Sequence, residues 1–310
     1  MGQVDRIAGM IALWVCLIGA LSCGSNQEAG SGEKPNSPPS VVSITLSPEK
    51  PTVDREVSAF VQSQDPDGDT VVCQFQWLRN GEELIGEKGG TIKPGSFKKG
   101  DLVSVKVIPS DGKAEGKPLT SPALQVLNSA PVVQELWIEP TQPYVTDSLR
   151  VHVKTFDGDG DFIYYTYEWE KNETALPEAK AEVLEKGGFK KGDTITVTVT
   201  PDDREIKGPR RKSDPLVILN SPPVIVSPPS TTVEEGTYRY QVIAKDMDQD
   251  SLAYVLKSGP KGMEMNSATG LVRWEIPKDE KGTHGVELEV SDPEGAKGFQ
   301  RFTLSVKDNK

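Results

Sequence analysis

The sequence predicts an all-β chain of three tandem sandwiches behind a leader and a tether, and three observations carry that expectation. Asn36-Ser37-Pro38-Pro39, Asn128-Ser129-Ala130-Pro131 and Asn220-Ser221-Pro222-Pro223 recur 92 residues apart, and a fixed period of this kind marks duplicated units. Short runs such as RVHVKTF and DTITVTVTP alternate or collect β-branched and aromatic residues, and Gly, Pro, Asn and Asp break them at brief intervals, which is strand patterning. No segment sustains a helical period, and KAEVLEKGGF is too short and Gly-ended to alter the class. A chain of 310 residues with 29 Gly and 24 Pro fits several small β units better than one large core.

From the N-terminus, residues 1–22 read as an address. The 16-residue apolar run IAGMIALWVCLIGALS is short for a bilayer span and the right length for a signal-peptide core. Its end, Ala20-Leu21-Ser22-Cys23-Gly24, resembles a bacterial lipobox, with alanine where leucine is commonest and Arg6 offset by Asp5 in a weak n-region. The resemblance implies that Cys23 becomes the lipidated mature N-terminus and anchors the protein to a membrane. Gly24 stands where an inner-membrane retention signal carries aspartate, which favours the outer membrane. The competing reading is an ordinary secretory signal cleaved nearby. Of the three cysteines, Cys16 leaves with the leader and Cys23 is lipidated, so Cys73 has no partner for a disulfide. It shares strand parity with Phe75 and Trp77, which places it in the core.

Residues 23–37 form the lipidated cysteine and a flexible tether without large apolar residues. The first unit (38–127) and the second (128–219) keep register throughout: Trp77 with Trp169, Asn80 with Asn172, FKKGD at Phe97 with FKKGD at Phe189, and Asp111 with Asp203. About seven short strands in some 90 residues is sandwich patterning. In the run Ile163, Tyr165, Tyr167, Trp169 every second residue points inward, so Trp77 and Trp169 are expected in the cores. Both units, with W-x-x-N before a loop and KKGD before a late strand, resemble immunoglobulin-like repeats of bacterial surface proteins.

The third unit (220–310) is diverged. Its D-x-D-x-D-x-L-x-Y, P-x-G-M, TG-x-x-x-W and D-x-x-G motifs, spread over residues 223–307, resemble the putative-Ig, dystroglycan-type cadherin-like family. That resemblance implies a sandwich used as a spacer, adhesin or binding module, often with calcium, and it does not imply an enzyme.

Aspartates repeat at i, i+2 and i+4: Asp65, Asp67, Asp69; Asp157, Asp159, Asp161; Asp246, Asp248, Asp250. Calcium takes six to eight oxygens, largely carboxylate, from loops. An EF-hand is excluded, because its obligatory sixth-position glycine is Thr70, Phe162 and Ser251 here. In an immunoglobulin-like sandwich the last loop shares a pole with this one, which adds Asp111, Asp203 and Asp292 and faces the set toward the preceding unit. Four close carboxylates repel unless a cation relieves them. Cadherins stiffen domain joints in a related way, but their linkers are acidic and these, LNSAP and LNSPP, are not. Two readings therefore stand, a calcium site and plain turn chemistry in which aspartates bond nearby amides.

A net charge of −11 argues against nucleic acid as partner, because phosphate binding needs clustered Lys and Arg. With two histidines and no serine elbow, zinc pair or phosphate loop, no catalytic constellation stands out. The expected function is a non-catalytic, lipid-anchored rod of the bacterial cell envelope that spaces, adheres or scaffolds. The alternative is a module binding a glycan or protein ligand, with Trp137 as contact because it lies out of phase with Leu136 and Ile138 and so faces outward; the competing reading of such a tryptophan is that it caps a neighbouring domain.

Overall fold

In a computed structural model of the protein, residues 34–230, 233–234 and 236–306 are described. The leader and the lipidation candidate Cys23 lie outside the described residues. Every regular element among the described residues is a β-strand.

In the first sandwich, Ser40–Ser47 pairs with Val57–Gln64, which pairs with Thr91–Ile92. The facing sheet runs Glu82–Glu83, Val72–Arg79, Leu102–Ser110, Leu119–Thr120, with Leu124–Gln125 also on Leu102–Ser110. The second sandwich repeats this at the same 92-residue offset. Val132–Glu139, Leu149–Phe156 and Val183–Leu184 form one sheet, and Thr174–Leu176, Tyr164–Lys171, Thr194–Asp202 and Arg211–Lys212 the other, with Leu216–Val217 at the side. All these ladders are antiparallel, so alternation sends one face of each strand inward.

The cores are separate. Ile44, Val57, Trp77, Ile92, Val103 and Val105 belong to the first cluster, and Ile138, Leu149, Trp169, Ile195 and Val197 to the second. Each tryptophan is fully buried and donates its indole N–H to a carbonyl 12 residues on: Trp77 to Gly89 at 2.9 Å, Trp169 to Ala181 at 3.0 Å. The hydrogen bond offsets the cost of taking the indole N–H out of water. Cys73 is a free thiol packed against the first core, and burial raises its pKa.

The W-x-x-N and KKGD motifs turn out to be one device. Asn80 donates to Asp101 (2.7 Å) and accepts from the Leu102 amide (2.8 Å), while Asp101 accepts the Lys98 amide (2.7 Å). Asn172, Asp193, Thr194 and Lys190 repeat the set. Gly100 and Gly192 sit at φ +87° and +83°, a conformation that glycine adopts at no steric cost. The turn so fixed presents the preceding lysine, Lys99 or Lys191, to the end of the sandwich.

The third sandwich differs in detail. Val233–Glu234, Thr237–Gln241, Leu271–Glu275 and Met263–Met265 form one sheet, and Ala253–Ser258, Gly282–Ser291 and Lys297–Val306 the other, with a short pair of Val224–Ile225 and Ala244–Lys245. Its core tryptophan, Trp274, lies on the sheet opposite the one that carries Trp77 and Trp169 in their units, and it packs with Tyr238, Tyr240 and Leu288.

Candidate functional site

The three Asp-x-Asp-x-Asp turns share one geometry. The first aspartate of each turn folds the loop over itself: Asp157 Oδ1 accepts the amides of Asp159 (2.9 Å) and Asp161 (3.2 Å). Asp65 does the same for Asp67 and Asp69, and Asp246 for Asp248 and Asp250. The middle aspartate captures the linker, taking the amide of Ser37, Ser129 or Ser221 at 2.6, 2.6 and 2.5 Å. Turn chemistry is thus present, and it consumes one oxygen of each of these carboxylates.

The acid of the last loop holds the linker asparagine. Asn36, Asn128 and Asn220 donate to Asp111, Asp203 and Asp292 at 2.9, 2.7 and 2.6 Å. The other oxygen of Asp203 accepts the amides of Glu205 and Ile206 at 2.8 and 2.7 Å. Burial alone would raise the pKa of Asp203, but the Ile206 amide and Asn128 hold it below the ordinary carboxylate range. For Asp292, Asn220 and the Ala296 amide overcome burial in the same way. Asp111 is lowered chiefly by Asn36, and Asp67 by the Ser37 amide and then Lys34.

Lysines complete each pole. Lys99, from the first sandwich, meets Asp161 (2.8 Å), Glu205 (2.6 Å) and the Asn128 carbonyl (2.7 Å). Lys191, from the second, meets Asp250 (2.5 Å), Glu294 (2.5 Å) and Asn220 (3.1 Å). Their carboxylate partners push both ammonium pKa values up. At the first pole Lys113 binds Asp69 (2.8 Å) from within the same sandwich, and Lys34 binds Asp67 (3.0 Å). The joint between the first two sandwiches encloses a cleft of about 530 Å³ lined by Val53, Phe97, Lys99, Gly158, Asp159 and Asp161.

The triads Asp157, Asp159, Asp161 and Asp246, Asp248, Asp250 each bring three carboxylates within 4.8 Å of one another. Within each, two buried oxygens have no hydrogen-bond partner: Asp157 Oδ2 and Asp159 Oδ1, and likewise Asp246 Oδ2 and Asp248 Oδ1. At the first pole Asp65 Oδ2 is similarly orphaned, but Asp67 Oδ1 is held by Lys34. The last-loop acids stand at the same pole with their oxygens committed to the linker and their own loop. Sequence reasoning located the acids and missed Lys99 and Lys191, whose partners belong to the next unit.

Trp137 faces outward, 41% exposed. It stacks on its cross-strand neighbour His152 with centroids 5.1 Å apart and planes 13° from parallel. Glu139 accepts its indole N–H at 3.2 Å and lies 3.0 Å from His152 Nε2. Beside it a shallow depression of about 530 Å³ is lined by Glu139, Pro140, Thr141, Arg150 and His152.

Residues 222–307 match the family model described as Putative Ig domain. No curated protein matches the chain. Among solved structures, the three N-terminal domains of the bacteriophage RB49 Highly Immunogenic Outer Capsid protein are 13% identical over 88% of this chain and 100% of that one, with a TM-score of 0.30. Extracellular cadherin domains 3–6 of Protocadherin Gamma B2 are 13% identical over 88% and 76%, with a TM-score of 0.26. Immunoglobulin domains 1–4 of Sidekick-1 are 12% identical over 82% and 81%, with a TM-score of 0.27.

Proposed function

We propose that the protein is a non-catalytic, lipid-anchored spacer or adhesion rod of the bacterial cell envelope, held through Cys23 and stiffened by calcium at its two internal joints. The observation that carries the rod is the joint itself. Two successive junctions use the same lysine on the third aspartate of the next sandwich's turn, at positions that recur along the chain. A connection meant only to tether would not need two copies of so specific a contact, because relative motion is the default between domains with small interfaces. On this reading the leader and lipobox put the rod on the outer membrane, and loss of membrane association in Cys23→Ser would test that anchor.

Calcium fits the second and third poles on donor chemistry. Each offers three carboxylates within ligand distance and two buried oxygens that nothing else satisfies, and an orphaned buried carboxylate oxygen is costly without a cation. Asp157, Asp159 and Asp161 would hold one ion, and Asp246, Asp248 and Asp250 another; each ion would supply positive charge that relieves the triad's repulsion. At the first pole Lys34 takes Asp67 Oδ1, so that only Asp65 Oδ2 is left unsatisfied there. Calorimetric titration is expected to find two ions per chain, with a rise in Tm at millimolar calcium, since a ligand bound only by the folded state stabilises it. An unchanged Tm at that concentration rejects the metal.

A second reading, capture of a glycan or protein ligand, is favoured by Trp137, whose ring is braced by His152 beside the Arg150 depression. Aromatic faces of this kind stack on apolar and sugar surfaces. Unchanged glycan-array binding by Trp137→Ala would remove it.

A further inference from the structure

We propose that the second lysine of KKGD is the closing contact of each joint, and that the residue two positions after the last-loop aspartate decides whether a pole receives that lysine from its neighbour or seals itself.

The position in question is 113 in the first sandwich, 205 in the second and 294 in the third, following Asp111, Asp203 and Asp292. It is Lys, Glu and Glu. Lys113 turns back on Asp69, the third aspartate of its own turn, at 2.8 Å. Glu205 and Glu294 instead join Asp161 and Asp250 in a carboxylate pair, and that pair is bridged by Lys99 or Lys191 from the sandwich before. The charge at this position is therefore opposite in the one pole that has no sandwich ahead of it among the described residues. At that pole Lys113 provides the lysine from within the same sandwich.

Geometry makes the lysine a specific contact and not a diffuse attraction. Lys99 and Lys191 are 31% and 27% exposed at the side chain, and each ammonium has three oxygen acceptors at 2.5–3.1 Å, which matches its three donors. One acceptor is the linker asparagine, whose amide nitrogen is tied to Asp203 or Asp292. Linker, turn and last loop of one sandwich are thus fastened to a single atom of the previous one. The lysine meets Asp161 and Asp250 on Oδ2, while the orphaned oxygens of each triad belong to the other two aspartates. The latch consequently does not require calcium.

The test uses the full chain in chelator, so that failure of the calcium reading leaves it untouched. Spin-labelled amino acids are placed at exposed sites on adjacent sandwiches, one pair across each joint, and pulsed EPR reads the width of the distance distribution. Lys99→Met is expected to broaden the first joint roughly twofold, as an unlatched small interface allows, and to leave the second joint unchanged; Lys191→Met should do the converse. Glu205→Lys is the discriminating variant. It adds a cation to an acidic pole, so generalised attraction would tighten or preserve the joint. Placed as Lys113 is, the new side chain instead pairs with Asp161 in its own sandwich and displaces Lys99, so the first joint should broaden. Unfolding of the second sandwich, followed in the same samples, checks that the broadening is not loss of fold. An unchanged width in Lys99→Met, or a first joint that is no wider in Glu205→Lys, overturns the proposal.

Discussion

Trp169 and Trp137 lie in one sandwich and differ in what their strands do with them. Trp169 is 1% exposed at the centre of the second core, so Trp169→Ala is expected to cost about 3–5 kcal/mol, the range for emptying a large aromatic site. Urea unfolding should show that loss in the second sandwich alone, because the three hydrophobic clusters share no residues. Trp137→Ala removes a surface cross-strand pair and should cost only about 0.5–1.5 kcal/mol. Both placements were legible from strand parity, since a period of two assigns a face to every residue once one is known. The aspartates were legible too, because their spacing repeats and their turns are local. Lys99 and Lys191 were not: KKGD reads as a turn, and nothing within one unit tells which lysine leaves it. The available signal was the change from Lys113 to Glu205 and Glu294 inside a repeat that otherwise holds its register.

Among the elements, the linkers are the ones that sequence patterning described least. LNSAP, LNSPP and the matching PNSPP ahead of the first unit have the composition of linkers, yet the proline carbonyl of each lies against a glycine of its own sandwich. A Cβ at Gly208 would come 1.8 Å from the Pro131 carbonyl oxygen, at Gly116 1.8 Å from that of Pro39, and at Gly298 2.1 Å from that of Pro223. The requirement is close approach of two backbones, which no other residue permits. Gly208→Ala is expected to lift Pro131 away and destabilise the second sandwich by about 1–3 kcal/mol, the usual cost of overpacking, measured as a lower urea midpoint with an unchanged m-value. Gly158 is a different case, because two of its three nearest neighbours, Val53 and Asp54, are in the other unit. There a Cβ would meet Ser129 Oγ at 2.8 Å, Val53 at 3.0 Å and Asp54 at 3.1 Å. Gly158→Ala should therefore loosen the first joint while leaving both cores as stable as before. Gly158 lies in an Asp-Gly-Asp-Gly stretch whose composition is that of a permissive turn, and its steric role comes from Val53 and Asp54, far earlier in the chain.

For the whole molecule, the proposed rod would owe its stiffness to carboxylates at the joints. Asp203 and Asp292 are held below the ordinary value of 3.8 by linker asparagines and loop amides. A carboxyl with a depressed folded pKa binds fewer protons folded than unfolded. Its contribution is therefore complete above the unfolded value and is lost as pH falls through the lower folded one. The rod should accordingly behave alike at neutral pH and near pH 5, and loosen only below about pH 4. Three sandwiches with strands of up to ten residues, at about 3.3 Å per residue, stack to roughly 100 Å. Small-angle scattering of the full chain in chelator is expected to show one maximum dimension of that order at pH 7 and pH 5, and a broader, less extended ensemble at pH 3, with the three cores still folded. An unchanged rod at pH 3 would mean that neither the asparagine–aspartate contacts nor the lysine–carboxylate latches set its stiffness, and that apolar contacts such as the approach of Val53 to Gly158 hold the sandwiches in line.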